Sequence, residues 1–181
     1  MLLFVDWLNS YLKWSQEYQL SHVDAKLSTR IPVWSNVRLT QHTDYAFRML
    51  IHAAVHAPAL TTVGEVAADF NLSAPHLNKV AQTLAAHGYL QTVRGRSGGL
   101  RLLREPRSIR LGQVAKVTEP DFQMAPCMTS DGNCPIYEPC LLRGALSQAA
   151  DAFIAELDKW TLADLVKRQK PLLTAISAAR V

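Results

Sequence analysis

The chain has 181 residues, a formal net charge of +4 and 49% hydrophobic residues, which suits one soluble globular domain with an extension. No apolar run is long enough to span a bilayer, and no basic residue precedes the apolar start. A membrane anchor and a secretory signal are therefore both excluded as readings. With only three cysteines and no secretory signal, a reducing cytoplasm is the expected location.

Residues 1–36 form an N-terminal extension unlike the rest. It holds three of the four tryptophans (Trp7, Trp14, Trp34) and balances three bases against three acids. No motif in it carries chemistry.

Residues 37–107 predict a winged helix-turn-helix. Ala46, Met49, Leu50 and Ala53 follow the i, i+3, i+4, i+7 rule, giving a helix capped by Thr40 or Thr43 with one buried face. Thr62-Val-Gly-Glu65 is a capping box that starts a short helix to about Phe70. Asn71-Leu72 makes the turn and Ser73 caps a third helix, which Gly88 stops. Leu77, Val80, Ala81 and Leu84 face the core, leaving His76, Lys79, Gln82 and Thr83 on the outer face with Asn78 at its edge.

Tyr89–Val93 then alternates like a strand, Arg94-Gly-Arg-Ser-Gly-Gly99 is a turn, and Leu100–Leu103 returns. Such a hairpin is a wing with Arg94 and Arg96 at its tip, suited to the narrow minor groove, while the third helix suits the major groove. Six arginines against one acid, Glu105, between residues 89 and 110 add the electrostatic footprint of a polyanion-binding face. Ser73, His76, Asn78, Lys79, Arg94 and Arg96 are the candidate DNA contacts. His42, His52, His56 and His87 read as structural or exposed.

Residues 108–124 hold a short connecting helix over Ile109–Val117. In residues 125–140 all three cysteines gather as Cys127, Cys134 and Cys140, a C-x6-C-x5-C spacing broken by Pro126, Pro135 and Pro139. A disulfide would leave one thiol over, while a tetrahedral zinc or an iron–sulfur cluster is one ligand short. A metal or cluster site with a ligand from elsewhere is the working expectation. From Leu141, the positions Leu142, Leu146, Ala149, Phe153, Leu157 and Trp160 make an apolar stripe, read as a dimerisation helix within residues 141–167. Thr161–Lys167 predicts a further helical turn or two, and residues 168–181 read as a loose tail. The fold class is thus mainly α with a small β-hairpin: a winged helix-turn-helix plus a long C-terminal dimerisation helix.

Val37-Arg-Leu-Thr-Gln-His-Thr-Asp-Tyr-Ala, Val93-Arg-Gly-Arg-Ser-Gly-Gly-Leu, the three-cysteine loop and Thr161-Leu-Ala-Asp-Leu together resemble the iron–sulfur winged-helix transcription regulators, and most of all their nitric-oxide-sensing branch. The resemblance covers roughly Val37 to Lys167. It implies a homodimeric repressor of operator DNA carrying a [2Fe–2S] or [4Fe–4S] cluster, with nitric oxide as signal. It also implies that the fourth ligand is a first-helix aspartate from the other subunit, which here is Asp44. The branch controlling cluster assembly uses a histidine three residues after the last cysteine, where this chain has Arg143. An iron-responsive branch also has three cysteines, and a zinc-stabilised regulator is the other alternative. Because Arg-Leu-Thr directly follows the initiator in these relatives, translation is expected to start at Val37.

Overall fold

The computed structural model describes residues 38–125, residue 128 and residues 134–178. The expectations for the extension, for Val37 as a start and for Cys127 lie outside them.

Helix α1 spans Gln41–His56. Its cap is Thr40, whose hydroxyl accepts the Thr43 amide, so the choice between the two threonines resolves to the first. Ala46, Met49, Leu50 and Ala53 are all buried, as their spacing predicts. Removing a side chain such as Met49 or Leu50 from water is worth about 1.5–3 kcal/mol.

Helix α2 (Val63–Phe70) opens on the capping box of Thr62 with Glu65. Asn71 turns the chain in the left-handed region at φ 51°, and α3 (Ala74–Ala86) follows. Leu77, Val80, Ala81 and Leu84 bury as expected. Ser73 occupies the cap position of α3, but its side chain makes no cap hydrogen bond. Pro75 in the first turn removes one of the amides that a cap would otherwise satisfy.

Strands β1 (Leu90–Val93) and β2 (Gly99–Leu102) pair antiparallel with Leu90 opposite Leu102 and Val93 opposite Gly99. The hairpin is not free-standing. The Thr61 amide donates to Leu100 O at 2.9 Å and the Leu100 amide returns to Thr61 O at 2.6 Å. This ties β2 to the segment leading into α2. At the tip, Gly95 takes φ 122°. A Cβ on Gly98 would stand 2.3 Å from the Val93 carbonyl oxygen, so the tip closes only with glycine there.

A short 3-10 turn at Pro106–Ser108 leads to α4 (Leu111–Thr118), which packs on α1. Helix α5 (Leu141–Leu157) packs on α4 through Ala150 and Ile154. The approach is close: a Cβ on Gly112 would lie 2.6 Å from the Ile154 carbonyl oxygen and 2.5 Å from Asp158 Oδ1. The predicted apolar stripe faces elsewhere. None of its members is buried within the chain, and Leu142 is 59% and Trp160 40% exposed. Helix α6 (Leu162–Leu165) starts on a second capping box, Thr161 with Asp164. The Thr161 hydroxyl and amide bonds hold the Asp164 carboxyl below its ordinary pKa.

The loose tail is corrected. Gln169–Ala178 form helix α7 against α1 and α2, with Ile176 buried. Gln169 Nε2 donates to Val55 O at 2.6 Å, which anchors its start. Pro171 falls in the first turn, where a missing amide costs little.

Candidate nucleic-acid interface and cysteine loop

The outer face of α3 is polar and open. His76, Asn78, Lys79 and Gln82 are exposed, and the exposed Ser73 leads into them. Beside it lies a cleft of about 190 Å³ lined by Gln41, His42 and Tyr45 of α1 and by His76, Lys79 and Val80 of α3.

The six clustered arginines divide by what they touch. Arg101 Nε donates to Gln91 Oε1 at 2.9 Å across the hairpin. Arg104 donates to His87 O at 2.9 Å, closing the carboxyl end of α3, and its guanidinium lies 4.7 Å from the Tyr89 ring centroid. Burial pushes the Tyr89 hydroxyl above its ordinary pKa. Arg107 pairs with Glu105 at 3.0 Å, and Arg110 donates to Asp158 O at 2.8 Å. Arg94 and Arg96, both exposed at the tip, make no hydrogen bond or ion pair among the described residues. The arginines at the tip are thus the ones left for a polyanion.

Of the predicted ligands, Cys134 and Cys140 are half-buried and in no disulfide. The Cys134 carbonyl accepts the Tyr137 amide at 3.0 Å, and Cys140 is the cap residue of α5. The unpaired amides of a helix's first turn lie next to such a position and suit a negatively charged ligand. Arg143, where a histidine ligand is ruled out, stacks 4.3 Å from the Tyr137 ring centroid and so braces the turn between the two cysteines. Asp44 stands in the first turn of α1, its side chain 45% exposed and paired with Arg48 at 2.9 Å. Free thiols in a proline-punctuated loop fit a soft metal or iron–sulfur group, while the Asp44 carboxylate, a harder ligand, faces its own Arg48 within this copy.

Sequence reasoning missed what holds α1. Buried His52 is bound by Asp69 Oδ2 at 2.7 Å and Thr61 Oγ1 at 3.2 Å, with His56 stacked on it at 4.1 Å. The available signal was a histidine three residues after Met49, on the buried face. Glu119 was also missed: its Oε1 accepts the Thr40 amide at 2.8 Å and the Thr40 hydroxyl at 3.1 Å.

A trihelical core, an open third-helix face and an arginine-tipped wing define a winged helix of the kind that transcriptional regulators use. Residues 39–168 match the model of the Rrf2 family, described as iron-dependent transcriptional regulator, and the chain belongs to that family. It is 40% identical over 139 residues to the HTH-type transcriptional regulator NsrR of Bacillus subtilis (strain 168), covering 76% of this chain and 95% of that one. It is 42% identical over 132 residues to protein aau3 of Rhizobium meliloti (strain 1021), covering 72% and 86%. Among solved structures, CymR, the global cysteine regulator of B. subtilis, superposes with TM-score 0.58 at 25% identity, over 73% of this chain and 98% of that one.

Proposed function

We propose that the chain is a homodimeric repressor that binds operator DNA and holds a nitric-oxide-sensitive iron–sulfur cluster. The observation that carries the DNA part is the open polar face of α3 beside a wing whose Arg94 and Arg96 have no partner among the described residues. In this scheme Ser73, His76, Asn78 and Lys79 meet the major groove and its flanking phosphates, and the two arginines enter the minor groove. The unburied stripe that runs along α5 from Leu142 and on to Trp160 just beyond it packs against its twin and sets the spacing of two half-sites.

Cys127, Cys134 and Cys140 would hold the cluster, with Asp44 of the second copy as the fourth ligand. When bound, such a group supplies an iron whose carboxylate corner is more exchangeable than its thiolate corners, which suits it to nitric oxide. The chain's own part is to place soft and hard donors on different copies. Asp44 belongs to a reading domain and the cysteines to the head of a dimer helix, so a shared site links the two. A coupling of about 1–3 kcal/mol changes operator occupancy by one to two decades. The resemblance of the Val37–Ala46, Val93–Leu100 and three-cysteine motifs to the nitric-oxide-sensing branch supports nitric oxide as the signal. The family's description as iron-dependent favours an iron-responsive regulator as the second reading.

The test is a visible absorption spectrum of anaerobically purified protein, titrated with nitric oxide while DNA binding is followed. Bleaching of a brown chromophore together with DNA release is expected. A chromophore indifferent to nitric oxide but lost on iron depletion favours the iron-responsive regulator. Colourless protein that still binds DNA, despite supplied iron, leaves a zinc-stabilised regulator.

A further inference from the structure

One turn of α1 meets three neighbours. Thr40 and Thr43 hold the end of α4: Glu119 accepts both donors of Thr40, and the Thr43 hydroxyl donates to Thr118 Oγ1 at 2.8 Å in a buried contact. Glu119 stands just ahead of the segment that carries the cysteines. Asp44 points outward, paired with Arg48. His42 turns to the third side, where its Nε2 lies 3.2 Å from Thr83 Oγ1 on α3.

Thr83 has a single hydroxyl hydrogen, and the Lys79 carbonyl lies 3.2 Å away to accept it. With that hydrogen on the Lys79 carbonyl, the Thr83 oxygen is free to accept from His42 Nε2. Thr83 sits one turn after Lys79, and His42 shares the wall of the 190 Å³ cleft with His76 and Lys79. Apart from this bond, no polar side-chain contact joins α1 to α3 among the described residues.

We infer that His42 is a positioning residue for the reading helix: it passes the placement of the first turn of α1, which the end of α4 holds through Thr118 and Glu119, on to α3. The inference rests on the assignment of α3 as the helix that reads operator DNA. It provides a route within one copy, separate from any ligand shared between copies. The test is a double-mutant cycle.

Wild type, His42→Gln, His42→Leu, Thr83→Val and the His42→Leu/Thr83→Val double variant are compared as full-length chains. The probes are a duplex selected by the wild-type protein from a random-sequence pool and an unrelated duplex of equal length. Losing one hydrogen bond should weaken binding of the selected duplex about fivefold in each single variant, with the double variant no weaker than either. Binding of the unrelated duplex should be unchanged, and glutamine, which can donate from its amide, should restore the wild-type affinity. Additive losses, equal losses on both duplexes, or a His42→Gln variant as weak as His42→Leu would overturn the inference. A wild-type protein that selects no sequence would instead overturn the operator assignment, and this inference with it.

Discussion

Asp69 of α2 holds His52 of α1 at 2.7 Å with both side chains shut away from water. Burial holds the imidazole below its ordinary pKa of 6.5, outweighing the Asp69 bond, which acts in the opposite direction. The unfolded chain then binds a proton that the folded chain resists, in the interval from 6.5 down to the depressed value. Stability is therefore full above that interval and falls as pH drops through it. Denaturant unfolding at stepped pH should show this loss, and the His52→Gln variant should flatten it. A slope that survives in the variant would place the titrating group elsewhere.

Gly112→Ala is expected to lower stability by about 1–3 kcal/mol, the range for overpacking. The added methyl would meet the Ile154 carbonyl at 2.6 Å, and backbone gives way less easily than a side-chain tip. Gly144, with nothing within 4 Å of a built Cβ, is the control. Gly144→Ala should be neutral or slightly stabilising, since alanine suits a helix interior better by up to about 1 kcal/mol. Thermal unfolding of the two variants checks both.

Replacing Arg94 and Arg96 together by alanine should leave the unfolding midpoint in place, because neither makes a hydrogen bond or ion pair among the described residues. It should weaken DNA binding and flatten the slope of log affinity against log salt by about two for each copy bound, hence by nearly four for a dimer, since each phosphate that a cation neutralises contributes about 0.9. Titrations of a fluorescent duplex at several salt concentrations read out the slope. An unchanged slope would remove the wing tip from the interface.

Leu142→Glu tests the α5 stripe. Leu142 is 59% exposed within the chain, so a charge there costs the monomer little, whereas across a twin helix it would be buried opposite itself. Sedimentation should show monomers with unchanged helix content. Persistent dimers would mean that the copies meet through another surface.

The winged helix was legible because its signals are local. The Thr62–Glu65 box, the left-handed turn at Asn71 and the stop at Gly88 each fall within a few residues of what they terminate. Helix α7 was not. Its tie runs from Gln169 to the Val55 carbonyl, across 114 positions, and no stripe announces a partner that distant. The Asp69 partner of His52 was hidden for the same reason. Counting arginines between residues 89 and 110 did not show which of them reach outward: Arg101 and Arg104 brace the hairpin and the end of α3, Arg107 pairs with Glu105, and Arg110 holds the end of α5. The candidate cluster site divided along a similar line: three cysteines in one loop are visible in the sequence, while Asp44 comes only from resemblance.

The two-way bond of Thr61 with Leu100 makes the wing's strands part of the body that carries α2 and α3, while Gly95 and Gly98 shape the tip. On the turn itself the exposed side chains are those of Arg94, Arg96 and Ser97. Those side chains form an exchangeable cassette: grafting another regulator's residues onto the three positions alters what the tip touches without re-aiming the helix beside it.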